Sequence, residues 1–277
     1  MLKNFFKYQS LGNDFILFDC YKKPETYINQ AMADASFPLS VQRLCDRHFG
    51  IGADGVLILK GNTSSSLPEM LIFNADGSKA EICLNGLRCV ALHLHASYNF
   101  PSQFKIKAGE KVVECFILYQ KDINEHVLIK TNVGSVNYLG ENCINTEQGK
   151  FCGHCANIGN PHFIVFQQTS SDWLAKHGSE IEQHKAFSQK TNVEFVWQEA
   201  PLLFKSLVYE RGCGITLACS SGAASIAGVL ARLGRIDYDQ EFKISMPGGD
   251  ILCCVDKSED VNLSAGATLV FSGIWGQ

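Results

Sequence analysis

The sequence predicts an α+β fold built from two related domains, each with short strands arranged around a central helix. Three observations predict this architecture: short runs of β-forming residues, two strongly apolar helical segments, and a weak internal repeat. With 277 residues, the chain is long enough for two domains of ordinary size. An apolar share of 46% and a charged share of 19% provide for a substantial buried core.

Short runs of apolar and β-branched residues, separated by turn residues, predict strands along the whole chain. Nine such runs stand out, at residues 15–18, 56–59, 70–73, 112–118, 127–129, 163–166, 193–196, 207–209 and 251–255.

Two segments read as helices, and each begins just after a cysteine. After Cys83, apolar residues fall at positions 87, 90, 91 and 94, the spacing of an amphipathic helix. After Cys219, residues 223–233 are apolar almost all round, which predicts a helix buried in its domain. Gly234 is its predicted C-terminal stop.

The internal repeat joins these features. Residues 11–15 (Leu-Gly-Asn-Asp-Phe) are echoed by residues 158–163 (Ile-Gly-Asn-Pro-His-Phe), and residues 82–86 (Ile-Cys-Leu-Asn-Gly) by residues 218–222 (Ala-Cys-Ser-Ser-Gly). A solenoid would show at least three units at a shorter period, so the repeat indicates duplication of a whole domain.

The domain boundaries follow from the repeat. Residues 1–121 with 266–277 form the predicted N-terminal domain, and residues 122–265 form the C-terminal one. The crossover is placed near the polar stretch 120–126.

Composition limits the partners and the compartment. The net charge is −4, from 24 Lys+Arg against 28 Asp+Glu, and no basic block points to nucleic acid. No apolar run reaches signal-peptide or membrane-span length, so we expect a cytoplasmic protein without a membrane partner. In that compartment the twelve cysteines are expected to be reduced thiols.

The start of a helix is a favourable place for a reactive cysteine. The first turn of a helix carries unpaired N–H groups and the positive end of the macrodipole, which favour a thiolate and can hold a carboxylate. A lone cysteine on an apolar helix is usually inert core. Because Cys83 and Cys219 occupy the same place in two repeated halves, we favour a functional interpretation.

Two thiols at a domain interface suit inversion at a carbon that bears hydrogen. One group removes a proton from one face, and the other delivers a proton to the opposite face. The thiols exchange these roles with the direction of the reaction.

The chain resembles the diaminopimelate epimerase family over nearly its whole length. The motifs that carry the resemblance are residues 11–15, 50–55 (Gly-Ile-Gly-Ala-Asp-Gly), 73–78 (Phe-Asn-Ala-Asp-Gly-Ser), 83–89 (Cys-Leu-Asn-Gly-Leu-Arg-Cys), 159–162 (Gly-Asn-Pro-His), 192–193 (Asn-Val), 210–212 (Glu-Arg-Gly), 218–219 (Ala-Cys) and 247–250 (Pro-Gly-Gly-Asp).

The resemblance implies a fold, a reaction and a set of site residues. The fold would be two mostly antiparallel sheets, each wrapped around a central helix, with the active site in the cleft between the domains. The reaction would interconvert LL- and meso-diaminopimelate without a cofactor or metal. Cys83 and Cys219 would be the catalytic bases, and His162 would support one of them by hydrogen bonding. The substrate would be bound by Asn13, Asn74, Leu84, Asn85, Asn160, Asn192, Glu210, Arg211, Ser220 and Ser221.

Within that set the resemblance implies a division of labour. Arg211 and the asparagines would bind the distal amino-carboxylate end, Glu210 would lie near the reacting amine, and residues 84–85 and 220–221 would hold the reacting carboxylate. Taken singly, the asparagines could equally be turn formers, and Glu210 with Arg211 an exposed ion pair. The oligomeric state stays open, with a homodimer as the assembly considered.

Four positions depart from the family pattern. Leu84 and Ser220 stand where glycine is common, Ile215 where glutamate is expected, and Gly55 where glutamine is frequent. These changes leave room for an alternative, a broader racemase that also accepts glutamate or another acidic amino acid. A proline or hydroxyproline epimerase is disfavoured by the asparagines and Arg211. A non-catalytic amino-acid binding protein is disfavoured because both cysteines are present.

Other cysteines and glycines offer weaker signals. Residues 152–155 (Cys-Gly-His-Cys) have the spacing of a thiol–disulfide exchange site, but the sequence after them predicts a turn instead of the required helix. Cys143 shows no partner pattern, and no second ligand pair completes a zinc site. Residues 50–55 match a dinucleotide motif only loosely, so no cofactor is predicted.

Overall fold

The computed structural model describes residues 3–61, 67–80, 83–119 and 127–276. Two compact units divide the chain: Met1–Thr131 with Ala265–Gln277, and Asn132–Ser264. The predicted crossover at residues 120–126 lies outside the described residues, so the boundaries inferred from the repeat stay a prediction.

The described residues form eighteen strands and five helices. The strands are β1 (Asn4–Ser10), β2 (Asn13–Cys20), β3 (Gly55–Lys60), β4 (Glu69–Asn74), β5 (Lys79–Ala80), β6 (Gln103–Ala108), β7 (Lys111–Tyr119), β8 (Val127–Ser135), β9 (Asn137–Thr146), β10 (Gly149–Asn157), β11 (Pro161–Val165), β12 (Asn192–Ala200), β13 (Leu203–Glu210), β14 (Gly214–Thr216), β15 (Glu241–Met246), β16 (Gly249–Val255), β17 (Asp260–Gly266) and β18 (Thr268–Ile274). The helices are α1 (Glu25–Ala33), α2 (Phe37–Cys45), α3 (Leu84–Tyr98), α4 (Ser171–Glu182) and α5 (Ser220–Arg232).

The two units have the same strand pairing. In the first, β18, β1 and β2 pair antiparallel, β2 runs parallel to β3, and β3 is antiparallel to β4. β4 is antiparallel to β5 and parallel to β6, which leads antiparallel into β7 and β8.

The second unit repeats this order with β9 to β17. β9, β10 and β11 pair antiparallel, β11 runs parallel to β12, and β12 is antiparallel to β13. β13 is antiparallel to β14 and parallel to β15, which leads antiparallel into β16 and β17. The predicted α+β fold of two related, mostly antiparallel units is therefore confirmed.

The central helices are the two predicted after the cysteines. α3 contacts β1, β2, β3, β4, β6 and β7, and Leu87, Val90 and Leu94 are fully buried on it. α5 contacts β10, β11, β12 and β16 and is buried almost all round, as the apolar run predicts. Gly234 follows α5 with φ +65°, which is the left-handed stop expected of glycine.

All nine predicted strand runs fall on strands, but several elements are additional. The sequence did not predict α1, α2 and α4, or the strands β1, β5, β6, β9, β10, β14, β15, β17 and β18. Many of these strands alternate polar and buried residues, so they lack the continuous apolar runs that marked the central ones.

The expectation that Cys143 has no partner is wrong. Cys143 faces Cys152 directly in the β9–β10 register, and the two form a disulfide across the hairpin. Sequence spacing did not reveal this pair because it depends on strand register. β10 continues as a strand through Asn157, so no helix opens after residues 152–155, and Cys155 is a free thiol. Within the described ranges, no helix is long and apolar enough to cross a membrane.

Candidate active site

Cys83 stands at the N-cap of α3 in the first unit. Its backbone is extended, with φ −138° and ψ 114°, and its carbonyl accepts the first helical hydrogen bond, from the N–H of Leu87 at 2.9 Å. The cysteine therefore lies at the positive end of a helix, where the sequence predicts it.

Asn13 brings an amide to this cysteine from the start of β2. Its Oδ1 lies 3.8 Å from the Sγ of Cys83 and 3.3 Å from the Nδ2 of Asn85, and both groups donate to it. Its Nδ2 donates to the Oδ2 of Asp54 at 2.7 Å. The structure thus brings together three predicted site residues, Asn13, Cys83 and Asn85, and adds Asp54.

A charged cluster lies around Asp54. Arg47 binds both carboxylate oxygens of Asp14, at 3.0 and 2.8 Å, and Oδ1 of Asp54 at 2.8 Å. Lys7, which is buried, pairs with Asp14 at 2.7 Å. Burial opposes ionisation of Asp14, but the bonds from Arg47 and Lys7 outweigh it and hold the pKa of that carboxyl well below its usual range.

Beneath the helix start, Arg88 is fully buried on α3. Its Nη2 donates to the Oδ1 of Asn85, and its Nε donates to the Oγ of Ser10 at 2.9 Å. Ser10 in turn donates to the carbonyl of Gly266 at 2.7 Å. Asn85 is only 4% exposed, and the guanidinium of Arg88 fixes the orientation of its side chain.

Asn74 ends β4 at the same end of the sheet. The register aligns Phe15 on β2 with Gly55 on β3, and Gly55 with Asn74 on β4. The Nδ2 of Asn74 donates to the Oγ of Ser78 at 3.0 Å, within the turn that leads to β5. Asn74 therefore serves the turn and lies at the sheet end where Asn13 begins its strand.

Cys219 is the matching residue of the second unit, at the N-cap of α5. It is 5% exposed, and its Sγ accepts from the N–H of Gly222 at 3.4 Å and lies 3.4 Å from the Oγ of Ser221. Ser221 accepts from the Nδ2 of Asn160 at 3.4 Å. Asn160, Cys219 and Ser221, all predicted site residues, are thus linked in one chain.

Two carboxylates lie beside Cys219. Glu210 hydrogen-bonds with Thr216 and with the thiol, and burial raises the pKa of its carboxyl above the ordinary value. Burial, with the negative charges of Glu210 and Glu194, raises the pKa of Cys219 well above the usual value, against the opposing bonds from Ser221 and Gly222. The expectation of a lowered thiol pKa at the helix start is therefore wrong for Cys219, because desolvation and two carboxylates outweigh the helix end.

The ring of His162 does not bond to a thiol. Its Nδ1 lies 2.7 Å from the Oε1 of Glu194 and its Nε2 lies 3.1 Å from the Oδ1 of Asn160, and the side chains of His162 and Glu194 are fully buried. The expected direct hydrogen bond from His162 to Cys83 or Cys219 is thus replaced by one to Glu194. A Cβ at Gly222 would come within 2.8 Å of the Oε1 of Glu194, so the glycine makes room for this carboxylate under α5.

Asn192 holds the segment that carries Arg211. Its Nδ2 donates to the carbonyl of Pro161 at 2.8 Å and its Oδ1 accepts from the N–H of Arg211 at 3.0 Å. Arg211 itself is exposed, with Nη1 donating to the carbonyl of Gln189 at 3.2 Å. Asn192 therefore positions Arg211 after β13, while much of the guanidinium stays accessible.

Leu84 and Ser220, which replace the family's common glycine after each cysteine, fit their helices without backbone strain. Leu84 and Ser220 are each the first residue of a helix, and neither has the positive φ that would demand glycine. Leu84 is 8% exposed, so its side chain packs into the first unit.

Three site neighbours were missed by sequence reasoning: Asp54, Arg88 and Glu194. Each is a charged residue inside one of the family motifs or a predicted apolar strand. That placement was the available signal, because a charged residue that becomes buried needs specific partners. In the described part of the chain, no cluster of His, Cys, Asp and Glu could hold a metal ion. What each unit offers is a thiol at a helix end with oriented amides beside it, a set that can exchange protons and bind a carboxylate.

The sequence model of the diaminopimelate epimerase family matches residues 5–139 and 154–269 of this chain. Diaminopimelate epimerases of Microcystis aeruginosa and Elusimicrobium minutum are each 36% identical to it, with 98% of this chain and 98% of each relative covered.

Solved structures with the same fold are more distant in sequence. A hydroxyproline epimerase from Agrobacterium vitis superposes with a TM-score of 0.71 at 13% identity, covering 99% of this chain and 93% of the other. A PhzF-family phenazine biosynthesis protein of Bacillus anthracis gives 0.70 at 11% identity, covering 99% of each chain. At these identities the similarity establishes the fold alone.

Proposed function

Because this chain belongs to the diaminopimelate epimerase family, we propose that it interconverts LL- and meso-diaminopimelate by proton transfer between two thiols and one α-carbon. The observation that carries the proposal is that Cys83 and Cys219 each cap the central helix of one of two duplicated units. The chain is accordingly an isomerase of the epimerase class.

The reaction needs a base and an acid that exchange roles. One cysteine, as thiolate, takes the α-proton from one face of the carbon and becomes a thiol. The other, as thiol, gives its proton to the opposite face and becomes a thiolate, so the net charge of the pair is unchanged. Burial and the adjacent carboxylates raise the pKa of Cys219, so its thiol form is available for the donating role.

The helix ends supply the electrostatics for the carbanionic transition state. We propose that the first-turn segments Leu84–Asn85 and Ser220–Ser221 bind the reacting carboxylate, where N–H groups and the helix macrodipole favour negative charge. Charge that moves from the α-carbon into the carboxylate during proton removal is stabilised by the same groups, which raises the rate.

The remaining site residues suit the distal end of the substrate. We propose that Asn13, Asn74, Asn160 and Asn192 with Arg211 bind the distal amino and carboxylate groups. The exposed guanidinium of Arg211, fixed at its backbone by Asn192, is the group that can grip a carboxylate in a bidentate manner. Glu210, beside Cys219, is the proposed partner of the reacting amine.

The support role of His162 is proposed to act through Asn160. Because His162 contacts the Oδ1 of Asn160, it leaves the Nδ2 of that amide for Ser221, which in turn contacts Cys219. A small amino acid is the proposed ligand, and a second copy of the chain is the proposed protein partner, through the exposed apolar side chains of β18.

Deuterium uptake from solvent at the α-carbon tests the function. The reduced protein is incubated in D₂O with LL-diaminopimelate, with L-glutamate in parallel, and the isotope content is measured by mass spectrometry. We expect exchange and epimerisation with diaminopimelate, and loss of both by more than about a thousandfold in Cys83→Ser and Cys219→Ser.

Cys213→Ser is the matched control, since Cys213 is an exposed cysteine outside the disulfide and in the same unit as Cys219. It should retain full exchange. Equal loss in the control would point to general thiol damage, and absence of exchange from folded, reduced wild-type protein would contradict the diaminopimelate reaction. Exchange with glutamate as well would show a broader racemase.

A further inference from the structure

A chain of hydrogen bonds with charged ends runs past Cys83. It begins at Arg88, which donates to the Oδ1 of Asn85, and continues from the Nδ2 of Asn85 to the Oδ1 of Asn13 at 3.3 Å. It ends where the Nδ2 of Asn13 donates to the Oδ2 of Asp54 at 2.7 Å.

The two ends determine the direction of every bond between them. A guanidinium has only donors, and an ionised carboxylate has only acceptors. Turning over either amide would set donor against donor at one bond and acceptor against acceptor at the next. The orientation of Asn13 therefore follows from the chemistry of Arg88 and Asp54.

On this basis we propose that Asp54 is a positioning residue, which fixes the Asn13 amide with its carbonyl oxygen, rather than its NH₂ group, facing the thiol of Cys83. The proposal rests on Cys83 being a reacting thiol. An oxygen at this place accepts from the S–H and offers nothing to the thiolate. The thiolate formed in the reaction is consequently a stronger base for the α-proton than one that accepts an amide N–H.

The matching amide of the second unit is turned the other way. Asn160 directs its Oδ1 to His162 and its Nδ2 to Ser221, the neighbour of Cys219. Beside Asn13 a carboxylate accepts from the NH₂ group, whereas beside Asn160 the Nε2 of His162 lies 3.1 Å from the oxygen. The orientation at Cys83 is thus not dictated by the fold that the two units share.

The test measures the pH dependence of Cys83 alkylation by iodoacetamide in the reduced full-length protein, with peptide mass spectrometry to resolve Cys83 from the other thiols. Asp54→Ala removes the 2.7 Å acceptor, so the longer 3.3 Å bond from Asn85 alone opposes a turn of the Asn13 NH₂ group toward the thiol. We expect the midpoint of alkylation to fall by about one pH unit.

Asp54→Asn is the matched variant, because it removes the charge but retains an oxygen for Asn13, with its own NH₂ turned toward Arg47, whose side chain is 56% exposed. Its midpoint should stay close to that of the wild type. In an Asn13→Ala background, Asp54→Ala should cause no further shift, since the effect passes through the amide.

Several outcomes would overturn the proposal. These are an unchanged or raised midpoint in Asp54→Ala, equal shifts in Asp54→Ala and Asp54→Asn, or an Asp54→Ala shift that persists without the Asn13 amide. The last two would show a through-space charge effect. If Asp54→Ala does not fold, Asp54→Ser replaces it, because its short side chain also fails to reach Asn13.

The alkylation readout is independent of turnover. Should the wild type fail to epimerise diaminopimelate, the proposed function fails while the shift at Cys83 still decides the role of Asp54. If the function holds, Asp54→Ala is expected to lower kcat by about tenfold and Asp54→Asn by less than about threefold.

Discussion

At Cys219 the chain places a thiol and two carboxylates close together in a buried environment. Each negative charge there makes the next one more costly, which is why burial and the nearby carboxylates raise the pKa of both Glu210 and Cys219. Such an arrangement lowers the stability of the folded chain at neutral pH and keeps a proton available at the site. Stability is thereby exchanged for a protonated thiol, which suits the proton-donating role proposed for Cys219.

Glu210→Gln should therefore raise stability and lower activity. The pKa of Glu210 is raised in the folded state, so its contribution to stability is present below the unfolded pKa and is lost as pH rises through the folded pKa. Glutamine avoids that loss. We expect the Tm of the variant to exceed that of the wild type by an amount that grows from pH 4 to pH 8, while kcat falls about a hundredfold.

Differential scanning calorimetry across this pH range, with the exposed Glu241→Gln as control, checks the expectation. Glu241 lies on β15, away from Cys219 in sequence and exposed, so its variant should show no such pH-dependent gain. A Tm below the wild-type value at pH 8 would show that the bonds of Glu210 to Thr216 and Cys219 stabilise more than its burial costs.

At this scale the sequence predicted the place of the two cysteines, each at a helix start, but not how the candidate site residues are bonded. Cys83 and Cys219 could be found because the repeat places both at helix starts. The partner of His162 could not, since Glu194 lies in an apolar run and meets His162 only through the parallel register of β11 and β12. The pKa of Cys219 was missed for the same reason: it depends on carboxylates from other strands.

At the scale of elements, α5 is built to lie close to its neighbours. Gly222 makes room for Glu194, and Gly228 makes room for Val136, whose Cβ would be 2.7 Å from a Cβ at that glycine. Both glycines lie inside a helix, where glycine costs about 1 kcal/mol relative to alanine. The close approach they permit explains why the helix contains them.

The sign of the change in unfolding free energy in Gly228→Ala tests this close approach. Helix propensity alone predicts stabilisation by about 1 kcal/mol, whereas the clash with Val136 predicts a net loss of about 2 kcal/mol. We expect the loss, measured as the free energy of unfolding in urea. In a Val136→Gly background no Cβ faces the new methyl group, so the same substitution should become neutral or stabilising. Stabilisation in both backgrounds would show that α5 can move away from Val136.

The elements differ in how far their own sequence predicts them without knowledge of the rest of the molecule. Strands that are buried on both faces can be predicted from a continuous apolar run. β2, with its buried residues from 15 to 18, is an example. β9 is polar and exposed at alternate positions, so its existence and its disulfide to β10 follow from pairing alone. α4 is short of apolar residues, and only Leu174, Gly178, Ile181 and Glu182 are buried on it.

At the scale of the whole molecule, duplication lets the two units be compared strand for strand. β18 in the first unit corresponds to β9 in the second, since each pairs with the strand that precedes a Gly-Asn turn. β18 leaves four apolar side chains exposed, at Leu269, Val270, Phe271 and Ile274. β9 exposes mainly polar residues, with Leu139 as its large apolar exception. The apolar surface of β18 is therefore not required by the shared fold.

We infer that this strand contacts a second copy of the chain. Alternate residues of a strand point to opposite faces, so exposed apolar side chains at consecutive positions place apolar surface on both sides of β18. Large apolar side chains exposed together on one strand are typical of an interaction site in a stable protein. Val270 is 55% exposed, so its replacement disturbs the fold of the unit little.

Val270→Lys should dissociate the proposed dimer, because two lysines brought into one apolar interface are left without partners. We expect the dissociation constant, measured by sedimentation velocity, to rise by at least about a hundredfold. Leu139→Lys, at a residue 59% exposed on the matching strand of the other unit, is the control and should leave association unchanged. A wild-type protein that sediments as a monomer, or equal dissociation in both variants, would remove β18 as the contact. If the Val270→Lys monomer keeps its Tm but loses epimerisation, association supports the reaction; if it stays active, each chain works alone.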